Sequence, residues 1–95
     1  MREKTVEQKL VRAAKAAGGI APKFVSPGFD GMPDRIVILP CGKIGFVEVK
    51  APGKKPRPLQ MSRHELLMRL GCRVYVLDDT GQIENILREI GGDAK

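Results

Sequence analysis

The sequence has few aromatic residues, few cysteines and one histidine. Its 95 residues include no Trp, one Tyr and three Phe, so a platform on which single-stranded bases stack is poorly supplied. The two cysteines, Cys41 and Cys72, are too few for a cysteine-rich zinc site, and we expect both to be free thiols. The single histidine, His64, leaves a hydrolase triad without candidates. We expect this side chain to be exposed on the polar side of a helix.

Long apolar runs are also absent. No run exceeds the length of a strand, which excludes a membrane-spanning helix. The start, Met-Arg-Glu-Lys-Thr, lacks the apolar core of a signal peptide, so the expected location is the cytoplasm. The length fits one domain, and we expect residues 1–95 to form it.

Basic residues are in excess. Seventeen Lys and Arg against eleven Asp and Glu give a net charge of +6, which favours a polyanionic partner, most commonly nucleic acid held by its phosphates. Charge alone is also compatible with a merely soluble basic protein.

Hydrophobic periodicity and turn residues predict an alternation of helices and strands. The expected elements, in order, are a helix at 5–17, strands at 23–25, 34–39 and 44–50, a helix at 58–70, a strand at 73–77 and a final helix. The predicted order is therefore α-β-β-β-α-β-α. The apolar sides expected of the second and third helices consist of Leu59, Leu66, Leu67 and Leu70, and of Ile83, Ile86, Leu87 and Ile90.

Pro40-Cys41-Gly42 suits a three-residue hairpin loop, because proline presets the first turn position and glycine adopts the left-handed conformation. This loop places Leu39 opposite Lys43 and, further along, Asp34 opposite Glu48. A two-residue loop would shift the pairing by one residue and separate the two acids onto opposite faces. Because both faces of the hairpin are apolar, we expect helices on both.

Asp34, Glu48 and Lys50 are unusual inside otherwise apolar strands, since buried charges need partners. The predicted register brings all three to one face. The two carboxylates and the Val49 carbonyl between Glu48 and Lys50 form an oxygen-rich site suited to Mg²⁺ or Mn²⁺. Lys50 could then orient water or stabilise charge on a phosphate. For each residue taken singly, an acid–lysine pair at a sheet end is the commoner explanation.

Two helical residues strengthen the hypothesis of a site. Glu7 lies at the edge of the buried face of the first helix, from which a carboxylate can reach the sheet. It could instead be exposed beside Lys4 or Lys9, and Glu3 competes for the same role. Gln60 lies on the inward row at the start of the second helix, where it could also bond free backbone amides.

The order Glu7, Gly31-Met32-Pro33-Asp34, Glu48-Val49-Lys50 and Gln60 resembles the PD-(D/E)XK nuclease superfamily. More closely it resembles the VRR-NUC family of virus-type replication–repair nucleases, in their small standalone phage and bacterial form, over Thr5 to about Leu77. The resemblance implies an α/β fold with a restriction-endonuclease-like core, a mixed β-sheet flanked by helices. The residues it implies for the site are Asp34, Glu48 and the Val49 carbonyl as metal ligands, Glu7 as a ligand directly or through water, Lys50 as the catalytic lysine and Gln60 as active-site support.

The expected function is that of a DNA endonuclease dependent on Mg²⁺ or Mn²⁺. The resemblance implies a homodimer that cuts Holliday junctions. The candidate pairing surfaces are the apolar residues of the last helix or exposed methionines such as Met61 and Met68. Three cations directly follow the Glu-x-Lys strand: Lys54, Lys55 and Arg57. We expect them to contact the DNA backbone, although a solvated basic loop is about as common. Two alternatives remain: a non-catalytic DNA-binding module or accessory subunit of this fold, and a structural or anti-repressor-like phage protein without a metal response.

Overall fold

The computed structural model describes residues 1–92. In this range the chain forms three α-helices and three β-strands, with a 3₁₀ turn after the first strand and another before the last helix. Their bounds are α1 Glu3–Ala16, β1 Arg35–Leu39, β2 Lys43–Val49, α2 Pro58–Arg69, β3 Val74–Leu77 and α3 Ile83–Ile90. None of these helices is long and apolar enough to cross a bilayer. Cys41 and Cys72 are both free thiols, as expected.

The three strands form one mixed sheet in the order β1-β2-β3. β1 runs antiparallel to β2, and β2 runs parallel to β3. A parallel neighbour requires a crossover connection, and α2 supplies it. The predicted hairpin register is confirmed, since Leu39 pairs with Lys43 and Ile36 with Phe46. Two residues of this loop adopt the left-handed conformation, Cys41 with φ 70° and Gly42 with φ 71°.

The apolar core lies between the sheet and the pair α1 and α3. In α1 the side chains of Val6, Leu10 and Ala14 are fully buried, at the four-residue spacing of one helix face. Val47 and Val49 of β2 belong to the same core cluster. In α3 the buried positions are Ile83, Ile86 and Ile90, with Leu87 partly buried, which confirms the apolar side predicted for this helix.

α2 covers the other face of the sheet, with only part of its predicted leucine side turned inward. Its buried residues are Gln60, His64 and Leu67. Leu59 and Leu70 are exposed, so the predicted apolar side is wrong at both positions. The physical reason lies in the sheet face beneath the helix, which carries the buried carboxylate of Glu48. A buried carboxylate needs donors, and the helix turns its polar side chains toward it.

The segment before β1 runs alongside that strand without forming the continuous strand predicted at 23–25. Two isolated bridges join Ile20 to Ile38 and Lys23 to Arg35. Pro22 lies between them and has no amide hydrogen to donate; its carbonyl accepts a bond from Ile36 at 3.2 Å. The approach is close at Gly19, where a Cβ atom would stand 2.2 Å from the Ile38 carbonyl oxygen.

Candidate active site at the open end of the sheet

Asp34 and Glu48 meet where the hairpin strands end. Asp34 immediately precedes β1, and its Oδ1 accepts a hydrogen bond of 3.0 Å from the backbone N–H of Val49. Glu48 precedes Val49 in β2 and is 2% exposed. The charge of Asp34 acts on Glu48 and raises its pKa. The fold therefore brings together the two carboxylates that the register prediction placed opposite each other.

Each carboxylate oxygen of Glu48 has a contact from α2. Gln60 Nε2 donates to Oε2 at 3.2 Å, and His64 Nε2 lies 3.3 Å from Oε1. Lys50 Nζ stands 3.9 Å from Oε2. At its other end, Gln60 accepts a 2.8 Å bond at Oε1 from the backbone N–H of Arg57. Gln60 thus has both roles considered for it, bonding a free amide at the helix start and contacting the site.

The expectation for His64 is wrong. Its side chain is 6% exposed and belongs to the Glu48 cluster rather than to the polar surface. The signal was present in the sequence, because His64 lies four residues after Gln60 and residues at that spacing share a helix face. The leucines of α2 concealed it, because they suggested a different buried side.

The pKa values of both acids are raised above those of free carboxyls. Burial, and then the charge of Asp34, raises the pKa of Glu48 to about 7, against the opposing effect of Lys50. Burial also raises the pKa of Asp34, opposed by the Val49 N–H bond and assisted by the charges of Glu7 and Glu3. Burial and the neighbouring Lys50 lower the pKa of His64, which favours its neutral imidazole. A divalent cation would relieve this crowding of negative charge.

The Val49 carbonyl is free of one usual strand partner. Ile36 and Ile38 of β1 bond the 20–24 segment, so the alternate residues of β1 face β2. Continuing the register Arg35–Val47 by two residues places Pro33 opposite Val49. Pro33 cannot donate a hydrogen bond. The proline before Asp34 therefore leaves the Val49 carbonyl oxygen without a donor from that position.

These residues fit a hard divalent cation. Within residues 1–92, no three His, Cys, Asp or Glu side chains converge in an arrangement that could hold a metal ion. The donor set instead combines two carboxylates with one backbone carbonyl, all oxygen. Mg²⁺ characteristically keeps several waters and uses one or two carboxylates, so two acids and a carbonyl are sufficient.

Glu7 reaches the flank of the site but is engaged by Arg35. Its Oε2 accepts from Arg35 Nε at 3.0 Å, and Arg35 Nη2 also lies 3.0 Å away. Arg35 Nη1 donates to the Ala21 carbonyl at 2.7 Å. Sequence reasoning missed Arg35, although a cation directly after Asp34 in an apolar strand was a visible signal. Glu3 is near as well, since its charge raises the pKa of both Asp34 and Glu48.

The basic loop between β2 and α2 lies beside the same end of the sheet. Its three cations, Lys54, Lys55 and Arg57, are all exposed. The charge of Arg57 lowers the pKa of Glu48, which places this residue within electrostatic range of the acids.

The sheet order, the flanking helices and the acid–lysine cluster define a restriction-endonuclease-like domain. No family model matches the sequence. The chain is 56% identical over 78 residues to the protein named "Putative nuclease p44" of Acyrthosiphon pisum secondary endosymbiont phage 1, covering 82% of this chain and 84% of that one. A solved structure described as a VRR_NUC domain superposes with a TM-score of 0.84 and 32% identity, over 93% of this chain and 97% of the other. The chain belongs to the VRR-NUC nuclease family, in its small phage-type form.

Proposed function

We propose that this protein is a divalent-metal-dependent DNA endonuclease that hydrolyses phosphodiester bonds. The observation that carries the proposal is the gathering of Asp34, Glu48 and Lys50 at one open end of the sheet. Membership of a nuclease family and the nuclease name of the phage relative support the same chemistry.

Asp34, Glu48 and the Val49 carbonyl would hold Mg²⁺ or Mn²⁺, with Glu7 contributing through water. When bound, such an ion lowers the pKa of a water and neutralises charge on the phosphate. Gln60 holds the Glu48 carboxylate by a 3.2 Å hydrogen bond. Glu7 is bonded to Arg35, and its charge acts on Asp34, which supports an indirect contact.

Lys50 is the catalytic lysine of this proposal. Its side chain is 16% exposed and its Nζ lies 3.9 Å from Glu48, so its ammonium would be beside a phosphate bound at the acids. An ammonium there stabilises the negative charge that builds on the phosphate during attack. A contact made mainly in the transition state raises turnover more than affinity.

The substrate in this proposal is DNA, preferably a branched four-way junction. The cations of the loop, Lys54, Lys55 and Arg57, would contact backbone phosphates, which carry no base information. A chain of 10.4 kDa has little surface to enclose a branch point, and residues 1–92 place Asp34 and Glu48 in a single cluster. A two-fold homodimer would present two such clusters, matching the symmetry of a junction.

The test is a nicking assay on junction, flap and linear duplex DNAs of the same sequence. We expect cleavage with Mg²⁺ or Mn²⁺, none in EDTA, and the highest rate on the junction. Lys50→Ala should depress turnover far more than DNA affinity, because it removes one of seventeen basic residues. Absence of cutting with either metal would contradict the proposal. Faster cutting of flaps would overturn the junction preference alone.

A further inference from the structure

A hollow of about 350 Å³ opens beside the acids, on the α1 side of the molecule. Lys4, Arg12, Lys23 and Arg35 line it together with Glu7. These four cations define what we call the basic hollow. The sequence alone shows cations along the outer face of α1, but it does not show that Lys23 joins them.

Three separate parts of the chain build the basic hollow. Lys4 and Arg12 come from α1, and Arg35 is the first residue of β1. Lys23 is brought in by its bridge to Arg35. The convergence therefore depends on the segment that runs alongside β1.

The positive charge of the basic hollow is largely uncompensated. The carboxylate in its lining, Glu7, is already paired with Arg35 at 3.0 Å. Lys4, Arg12 and Lys23 are exposed, and none of them forms an ion pair with a carboxylate of residues 1–92. Three such cations around one concavity attract a polyanion.

The basic hollow is next to the acids and on the other side of the sheet from the loop of Lys54 and Lys55. Arg35 directly follows Asp34, and the charge of Glu7 acts on Asp34. α1 packs on one face of the sheet, whereas the loop leads into α2 on the other. A strand of DNA whose phosphate lies at the acids would therefore pass cations on both sides.

We propose that the basic hollow is a second binding site for backbone phosphate of the DNA substrate, with Lys4, Arg12 and Lys23 as the contacting residues. Arg35 stays bonded to Glu7 and Ala21 and forms the floor. The inference rests on the proposed nuclease function, because it identifies how that substrate is held.

The experiment measures DNA binding in EDTA by fluorescence anisotropy, with a labelled junction and a duplex, over a series of salt concentrations. The variant is Lys4→Ala/Arg12→Ala/Lys23→Ala. Its matched control is Lys43→Ala/Arg69→Ala/Arg73→Ala, which removes the same charge at the opposite end of the molecule, since β2 runs from Lys43 to Val49 and α2 ends at Arg69. All six residues are exposed, so both variants should fold, and a thermal melt verifies it.

We expect the first variant to bind both DNAs at least tenfold more weakly. The slope of log K against log salt should flatten by about 0.9 for each phosphate that the variant no longer neutralises, up to about 2.7, whereas the control should keep the wild-type slope. Equal slopes in the two variants would overturn the proposal while leaving the nuclease assignment intact. Displacement of DNA by micromolar inorganic phosphate at constant ionic strength would overturn it in favour of a free-phosphate site. A wild-type chain that binds neither DNA would overturn the proposed function as well.

Discussion

At the scale of single residues, the Glu48 carboxylate is held on both oxygens by side chains of one helix. Gln60 donates to one oxygen, and the buried His64 faces the other at 3.3 Å. Such partners fix the orientation of a ligating carboxylate and are characteristic of metal sites. In the proposed metal site His64 would be a positioning residue, because its contact is with the Glu48 carboxylate.

His64→Met should weaken Mn²⁺ binding by about 10- to 100-fold, since loss of an outer partner commonly costs that much. His64→Gln should retain most of the affinity, because its amide can still donate near the position of Nε2. Free Mn²⁺ measured by electron paramagnetic resonance on DNA-free protein gives both constants. Equal affinity in wild type and His64→Met would show that the histidine only fills space.

The raised pKa of Glu48 predicts that the metal-free protein loses folding stability as pH rises. The ordinary pKa of 4.5 becomes about 7 on folding, so the folded state binds this proton more tightly than the unfolded chain. The stabilisation by this bound proton is complete below about pH 4.5 and is lost as pH rises through about 7. The stability of Glu48→Gln relative to wild type should therefore increase over this window, by up to about 3 kcal/mol.

Thermal melts in EDTA from pH 4 to pH 8 measure this difference. Glu65→Gln is the matched control, since Glu65 is an exposed acid of α2. A stability difference between Glu48→Gln and wild type that is the same at every pH would contradict the raised pKa of Glu48.

The acids of the candidate site could be predicted from sequence, but the contacts of two of their neighbours could not. Asp34, Glu48 and Lys50 stand out because charge is rare inside apolar strands, and the hairpin register brings them together. Arg35 and His64 also carry signals, a cation directly after Asp34 and a position four residues after Gln60, but the sequence does not show which carboxylate either residue contacts.

At the scale of elements, the hairpin was predictable and the orientation of α2 was not. The loop Pro40-Cys41-Gly42 fixes the length of the turn, and the register follows from it. Hydrophobicity alone placed Leu59 and Leu70 inward, yet both are exposed. A helix that covers a buried carboxylate must bury polar side chains, and the sequence does not show which helix lies over which strand.

The bridging segment before β1 provides a test at this scale. Gly19→Ala should destabilise the protein by roughly 2–4 kcal/mol, because its Cβ would be 2.2 Å from the Ile38 oxygen and 2.8 Å from Leu39 Cδ2. Gly81→Ala is the control, since the nearest atoms there, those of the Asp79 carboxylate, are 3.8 Å away. Chemical denaturation of both variants measures the difference, and similar midpoints would show that the segment is not tightly packed on β1.

At the scale of the whole molecule, a wide hollow lies away from the acids. It measures about 860 Å³ and runs between α1 and α3, with Ile83 and Leu87 among its apolar lining. Met61 and Met68 form the other exposed apolar candidates, on the outer side of α2. Both surfaces remain candidates for the proposed homodimer.

Light scattering at micromolar concentration should give a particle of twice 10.4 kDa. Leu87→Lys and Met61→Lys distinguish the two surfaces, because a charge buried in an interface without a partner disrupts it. The variant that yields a monomer identifies the pairing face. A wild-type particle of one chain mass would contradict the homodimer.

We propose that Asp34 and Glu48 hold the metal ion that cleavage needs. The most direct measurement compares junction cleavage with Mg²⁺ or Mn²⁺ by Asp34→Ala, Glu48→Ala and, as control, the exposed-acid variant Glu65→Ala. The first two should lose cleavage while DNA binding in EDTA stays within a few-fold of wild type, because phosphates are held by lysines and arginines elsewhere. Glu65→Ala should cut normally. Cleavage at the wild-type rate by either Asp34→Ala or Glu48→Ala would contradict the assignment of the site.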